Sequence, residues 1–229
     1  MLIVSNTWDD NGTGWKRLGS KVIVSQKLDI HPTHPQPRML CMIADIVAKG
    51  GVVVYPTDTA FALGCHLGDK NALERIIRIR QLHKSHQFTL ACRDLSDLGT
   101  YARVDNSGYR LLRRHTPGPF TFIMKASREV PRRLMHIKRR TIGMRVPDNA
   151  VALGLLNMVG EPMLTTTLKM PGEEMPLADG HEIFERLAKV VDVVLDDGSQ
   201  TVGLSTVIDM SEGSPEIVRQ GLGEIEELA

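Results

Sequence analysis

At 229 residues with 42% hydrophobic composition, the chain can bury a substantial core, and its length suits one large domain or two small ones. Its net charge of +1 hides an uneven layout: residues 75–145 hold 17 Lys and Arg against 4 Asp and Glu, a local +13, while the rest holds 11 against 23, a local −12. Cys41, Cys65 and Cys92 are widely spaced with no Cys-x-x-Cys pair, which argues against a disulfide framework or a structural zinc site, and no apolar run approaches the ~20 residues of a membrane-spanning helix. A soluble cytoplasmic protein with no membrane partner is therefore expected, the N-terminus lacking a signal peptide's compact apolar segment.

Residues 1–22 mix Asn, Asp, Gly and Ser with two tryptophans in no sustained period. They read as an N-terminal extension, either a loose arm or the product of an upstream start codon, ahead of one domain over residues 23–229. Residues 37–49 place Met39, Leu40, Met42, Ile43, Ile46 and Val47 at helical spacing, with Gly50 and Gly51 positioned to end the helix in the left-handed region. A buried strand over 52–55 follows. Then come a helix over 71–80, a strand over 88–91, a helix over 106–114, strands over 120–125 and 141–146, and a helix over 149–158 before Gly160. A strand over 163–167, a helix over 181–189 and strands over 192–195, 205–210 and 217–219 complete the chain. Mixing of both element types throughout implies an α/β sheet covered by helices, and consecutive strands near the C-terminus imply some antiparallel pairing.

The strand over 52–55 empties into Pro56-Thr57-Asp58-Thr59, and ligands of α/β sheets commonly sit beyond the carboxyl ends of strands. Thr57, Asp58 and Thr59 could face an amino-acid ammonium or a sugar hydroxyl, or could simply build a turn. On the 71–80 helix, Leu73, Ile76 and Ile77 define the apolar stripe, and Arg80 falls in its middle. That guanidinium either snorkels out at the helix end or aims at a phosphate lying against the sheet. Arg75 and Arg78 lie off the stripe and are expected to face solvent. His83 and His86 have no carboxylate or cysteine nearby, so no metal site is expected. Neither G-x-x-x-x-G-K-[ST] nor G-x-G-x-x-G occurs.

The concentrated positive charge suits a phosphate-rich ligand, nucleotide or nucleic acid; the alternative is a solvated face balanced by acidic neighbours in the fold. Arg132, Arg133, Lys138, Arg139 and Arg140 form a polybasic run that could grip RNA phosphates. It leads into a strand in which Arg145 alternates with Ile142, Met144 and Val146 beside a sheet face. Aromatic residues make up only 4% of the chain, which argues against sequence-specific reading of single strands by stacking.

Tyr55-Pro56-Thr57-Asp58-Thr59, Thr116-Pro117-Gly118-Pro119-Phe120-Thr121-Phe122, Gly143-Met144-Arg145-Val146-Pro147 and Ser205-Thr206-Val207-Ile208-Asp209 together resemble the YrdC-like family, with Arg219-Gln220-Gly221 similar to its closing Arg-x-Gly. Ile79-Arg80-Gln81-Leu82 and the run from Lys138 to Pro147 look most like its YciO-type branch. The resemblance implies a twisted open mixed sheet with helices packed on it and a large, basic concave cavity in a single α/β domain. It implies ATP with Mg²⁺ as a substrate complex and no tightly bound cofactor. Its best-known members are threonylcarbamoyl-AMP synthases, which join L-threonine, bicarbonate and ATP, release pyrophosphate and supply a tRNA modification. The family is also linked to double-stranded RNA and ribosome maturation.

Carried over residue by residue, the resemblance puts Thr57 on the amino acid, Arg145 on its carboxylate or the nucleotide, and Ser205 at the phosphates. Asp58, Thr59, Thr206 and Arg219 would complete the binding set, and Arg80, Arg145, Thr167 and Lys169 would be catalytic. Two departures stand out. The synthase Lys-x-Arg is matched by Arg80-Gln81-Leu82, which keeps one cation and loses the second, and its Ser-x-Asn is matched by Thr167-Leu168-Lys169. Losing one cation at a phosphoryl-transfer site costs about 10²-fold in rate. Two other functions therefore stay open: a non-catalytic double-stranded RNA-binding protein, and a sugar-phosphate enzyme related in fold, for which no acidic metal-binding motif stands out.

Overall fold

Hydrophobicity that alternates with period two becomes strand in this chain, and hydrophobicity that recurs every three or four residues becomes helix. The computed structural model describes residues 6–8, 15–17, 25–83 and 86–225. A ribbon of β1 (Asn6–Trp8) and β2 (Trp15–Arg17), paired antiparallel, precedes the main body, and the remainder of the N-terminal extension lies outside the described residues. In order, the body contains β3 (Gln26–Asp29), α1 (Pro37–Ala48), β4 (Val53–Tyr55), β5 (Ala62–His66), α2 (Lys70–Arg80), β6 (Thr89–Ala91), α3 (Leu95–Tyr101) and α4 (Asn106–His115). Then follow β7 (Phe120–Lys125), β8 (Thr141–Arg145), α5 (Ala150–Val159), β9 (Met163–Thr167), α6 (Gly180–Leu187), β10 (Val193–Asp196), β11 (Thr206–Asp209) and β12 (Glu216–Arg219). A 3-10 turn, Arg132–Leu134, interrupts the link from β7 to β8.

Among the described residues β3 to β12 form one ten-stranded mixed sheet in the order β12-β11-β7-β8-β6-β9-β5-β4-β10-β3. β10 runs parallel to β3 and β4, β6 to β8, and β7 to β11; the other neighbours are antiparallel, including the β11/β12 pair at the C-terminus. One face carries Leu63, Leu90, Phe122, Met144, Leu164 and Ile208, packed against α2, α4 and α6 through Ile76, Leu112 and Ile183. On the opposite face α1 and α5 cover Val53, Tyr55, Ala62, Ala91, Met163 and Leu195. That second layer stops partway across, so the same face of β6 to β9, β11 and β12 is left open. The site lies there.

Local chemistry fixes the helix ends. Asp69, Asp105, Asn149 and Asp179 each accept a hydrogen bond from a first-turn N–H, as N-caps do. Gly50 (φ 80°) follows α1 and Gly160 (φ 81°) ends α5, both in the left-handed region that glycine adopts without a Cβ clash. Three elements differ from the sequence reading. β3 carries little apolar pattern, α3 is seven residues long with Gly99 inside it, and β5 has no alternation because four of its five residues are buried. Arg75 is also a correction. Instead of facing solvent, its guanidinium donates to the Val190 carbonyl at 2.9 Å and pairs with Asp192 at 2.7 Å, tying α2 to the turn before β10.

Candidate functional site

β4 delivers the chain into a tight turn at Thr57. The Thr57 hydroxyl donates to the Ala60 carbonyl at 2.6 Å and accepts from the Thr59 and Ala60 N–H groups, so it builds the turn while the residue lines the cavity. Arg145, at the end of β8 and only 7% exposed, reaches this turn: Nη1 donates to Thr59 Oγ1 at 3.1 Å and Nη2 meets Asp58 Oδ1 at 2.5 Å. Arg145 Nε and Asp58 Oδ2 are both buried without a hydrogen-bond partner. The pair is thus electrically balanced but has spare hydrogen-bonding capacity on each side.

A cavity of about 360 Å³ opens on the uncovered face. Strand register explains its floor. Arg219 lies opposite Val207, and Val207 opposite Thr121; Ile123 lies opposite Gly143, Gly143 opposite Thr89, and Thr89 opposite Thr165. Small or hydroxyl-bearing side chains thus line up across the strands, at positions whose neighbours in sequence point into the apolar layer. Gly143 keeps the floor low: a Cβ there would stand 2.7 Å from Thr89 Oγ1 and 3.1 Å from the Phe88 carbonyl. Tyr55 donates to Thr165 Oγ1 at 2.9 Å, and burial pushes its phenol up to about 12, so it remains a donor.

The rim is cationic. Arg219 donates to the Ser205 carbonyl at 2.8 Å and to Ser205 Oγ at 3.3 Å, while Ser205 Oγ lies 2.8 Å from Thr121 Oγ1. Burial lowers the Arg219 pKa and the nearby charge of Arg145 lowers it further, because two guanidiniums share one space. Among the described residues no Asp or Glu lines the cavity. His86, on the wall, is held below the ordinary histidine range by burial and then by the charge of Arg80, so its ring is neutral at pH 7. Arg80 stands half-buried at the end of α2 with its Nε lacking a partner, and burial lowers its pKa.

Of the residues singled out in the sequence, the cavity brings together Thr57, Thr59, Arg145, Thr167, Ser205 and Arg219. Asp58 stands behind Arg145, and Arg80 beside His86. Lys169 is half-buried past the end of β9 and is not among the lining residues. Thr206 is fully buried, donating to the Gly223 carbonyl at 2.6 Å and accepting from Gly221 N–H at 2.9 Å, where it fixes the return of the chain after β12. In the polybasic run, Arg133 donates to the Leu67 and Gly68 carbonyls and Arg139 pairs with Asp209; Lys138 is exposed, and Arg132 and Arg140 line a separate pocket. The sequence reading left out His86, Gln87, Thr89, Thr165 and Thr166 as site residues. For Gln87, Thr89 and Thr165 the signal is a polar residue at every second position of an otherwise core-like stretch; His86 and Thr166 fall on the alternate positions and carry no such signal. Among the described residues no group of three or more His, Cys, Asp or Glu stands together to hold a metal ion.

Comparison with known proteins follows the same lines. Residues 45–221 match the family model Sua5_yciO_yrdC, described as telomere recombination. YciO, an uncharacterized protein of Escherichia coli (strain K12), is 52% identical over 202 residues, covering 88% of this chain and 98% of that protein. The crystal structure of E. coli YciO superposes with a TM-score of 0.87 over 90% of this chain and all of that one. A threonylcarbamoyl-AMP synthase of Pyrococcus abyssi is 27% identical over 81% of this chain and 54% of its own length. P. abyssi Sua5 complexed with L-threonine shares the fold, with a TM-score of 0.78 at 24% identity over 85% of this chain and 57% of that one. With an ordered motif set, a matching sheet and a family model covering most of its length, the chain belongs to the Sua5/YciO/YrdC family and is of the YciO type.

Proposed function

We propose that the cavity is the reacting centre of a threonylcarbamoyl-AMP synthase-type enzyme, taking L-threonine, bicarbonate and ATP and releasing pyrophosphate. The observation that carries this reading is a hydroxyl-lined cavity with two guanidiniums, Arg145 and Arg219, and no lining carboxylate among the described residues. The named activity of the P. abyssi relative supplies the chemistry. Its volume of about 360 Å³ is at the small end for ligand sites and suits an amino acid with the phosphate it attacks.

Threonine's amine takes up bicarbonate as a carbamate with loss of water. A carbamate oxygen then forms a bond to the α-phosphorus while the bond from that phosphorus to the leaving oxygen breaks, and pyrophosphate departs. Arg219, whose partners among the described residues are neutral oxygens of Ser205, is free in charge terms to hold the anion that develops. Arg145, already paired with Asp58, positions a carboxylate or phosphate through its spare Nε rather than adding net charge. Thr121 and Ser205 share one hydrogen bond, so the pair keeps one hydroxyl hydrogen to donate to a phosphate oxygen. The described residues hold no acidic cluster that would bind Mg²⁺ by itself, so the ion fits as a passenger on the nucleotide's phosphates, where it neutralises their charge. Leu82 packs against the core and Lys169 stands off the cavity, so Lys169 does not replace the cation lost at Leu82. Turnover about 10²-fold below that of a synthase with both cations is expected.

The test is pyrophosphate release from ATP with L-threonine and bicarbonate together and with each omitted. Release that needs both, and that falls about 10²-fold in Arg219→Ala, supports the assignment. No release from folded protein overturns it.

A further inference from the structure

We propose that the loop joining β7 to β8 forms a second ligand site, separate from the cavity, that takes a multiply phosphorylated ligand. The loop encloses a pocket of about 980 Å³ that shares none of its lining residues with the cavity. Among the described residues six cations line it, and no Asp or Glu does. Carboxylates elsewhere in the fold already engage two of the six: Arg139 pairs with Asp209, and Lys125 lies 3.5 Å from Glu212. The guanidiniums of Arg103, Arg128, Arg132 and Arg140 have no ion pair among the described residues. Elsewhere Arg75, Arg93 and Arg186 each meet a carboxylate, and Arg133 and Arg219 turn to carbonyl oxygens instead. Four like charges gathered around one hollow repel each other, and a polyanion entering the hollow relieves that repulsion.

Backbone geometry adds an independent observation. Arg140 has φ 51°, in the left-handed region that a side-chain-bearing residue seldom occupies. The turn is pinned there by Ala126 N–H donating to the Arg140 carbonyl and by Arg140 N–H donating to the His136 carbonyl. Glycine would meet this geometry without strain, yet the position carries an arginine that lines the pocket. Such strain gathers at sites of function. Ile137, 81% exposed, and Val130 supply an apolar wall beside the cations, which suits phosphates carried on an organic body. The chemistry recognised is therefore two or more phosphate groups, borne either by a small phosphorylated metabolite or by the backbone of a duplex nucleic acid.

Both sources are tested in protein carrying Arg219→Ala, which weakens the cavity and leaves the loop intact. Inorganic tripolyphosphate is titrated calorimetrically, and a short mixed-sequence RNA duplex is followed by anisotropy at two salt concentrations. At least one probe is expected to bind, with affinity falling about tenfold or more when Arg128→Ala, Arg132→Ala and Arg140→Gly are added. Arg140→Gly also removes the backbone strain, so loss of fold does not explain a loss of binding; the exposed single change Arg132→Glu, expected to weaken binding in the same direction, provides a second check. Tripolyphosphate binding alone assigns a small metabolite, and RNA binding with a steep salt slope assigns a nucleic acid. Binding by neither probe, or affinity unchanged within about twofold in the triple variant, overturns the site.

Discussion

The guanidinium of Arg145 enters the cavity already compensated, and the Asp58 carboxylate that compensates it has one oxygen with no partner. Removing one member of a buried pair strands the other charge, which typically costs 3–5 kcal/mol. Asp58→Asn, which keeps the shape and deletes the charge, is therefore expected to lower the unfolding free energy by about 3 kcal/mol in urea titrations. Pyrophosphate should restore part of that loss in the variant, because an anion in the cavity takes over the carboxylate's role. Unchanged stability without ligand would mean that water already screens the pair. Thr57 and Arg145 were legible as site candidates because charge or hydroxyl placed next to a strand end is visible in one dimension, whereas Ser205 and Arg219 were reached only through the family resemblance. Arg80 was legible only as an ambiguity, and in the fold it is neither fully out nor in the cavity but next to His86.

Between neighbouring strands the decisive relation is register. Gly143 on β8 faces Thr89 on β6, and Thr121 of β7 closes on it from the other side, with Cγ2 at 3.4 Å from where a Cβ would stand. Gly143→Ala should cost about 1–3 kcal/mol by overpacking against Thr89 Oγ1 and the Phe88 carbonyl. Adding Thr89→Ala should recover much of that cost, a non-additivity that thermal unfolding of the two single variants and the double would measure. Strictly additive changes would show that Thr89 is not what the new methyl strikes. β4, β6, the strands from β7 onward and five of the six helices could be read from period and caps alone. β5 could not, since Gly64 and burial on both sides erase the alternation. Nor could the cavity floor. β6 inserts between β8 and β9, strands that come later in the chain, and no local pattern announces which strands will lie side by side.

Across the whole molecule, the acidic remainder of the chain meets the basic middle in part: Asp192 takes Arg75, Asp209 takes Arg139 and Asp58 takes Arg145, and the cationic charge left over among the described residues includes the cavity rim and the β7–β8 loop. This layout sets the response to acid. Burial pushes Asp97, Asp196 and Asp209 up, but hydrogen bonds from Arg93 to the first, Lys27 to the second, and Ser211 and Arg139 to the third outweigh it, so all three are held below the ordinary range. Burial lowers His86 and His115 as well, aided by Arg80 and Arg114 respectively. For every one of these groups the unfolded chain binds protons more readily than the folded one, so stability is lost as pH falls. The urea midpoint should decline slightly below about pH 6.5 as the histidines titrate, and steeply below about pH 4. A midpoint that rises between pH 6.5 and 4 would contradict these assignments. The sheet order carries one more consequence, for synthesis. β3 begins the main body, yet among the described strands its one neighbour in the sheet is β10, with Leu28 opposite Leu195 and Lys27 bonded to Asp196. A nascent chain emerging from the ribosome must therefore hold its first core strand unpaired until some 170 further residues have followed, a separation set by that Lys27–Asp196 contact. Chains released before that point would carry an open, bonding-competent strand edge and would need a chaperone more than the finished protein does.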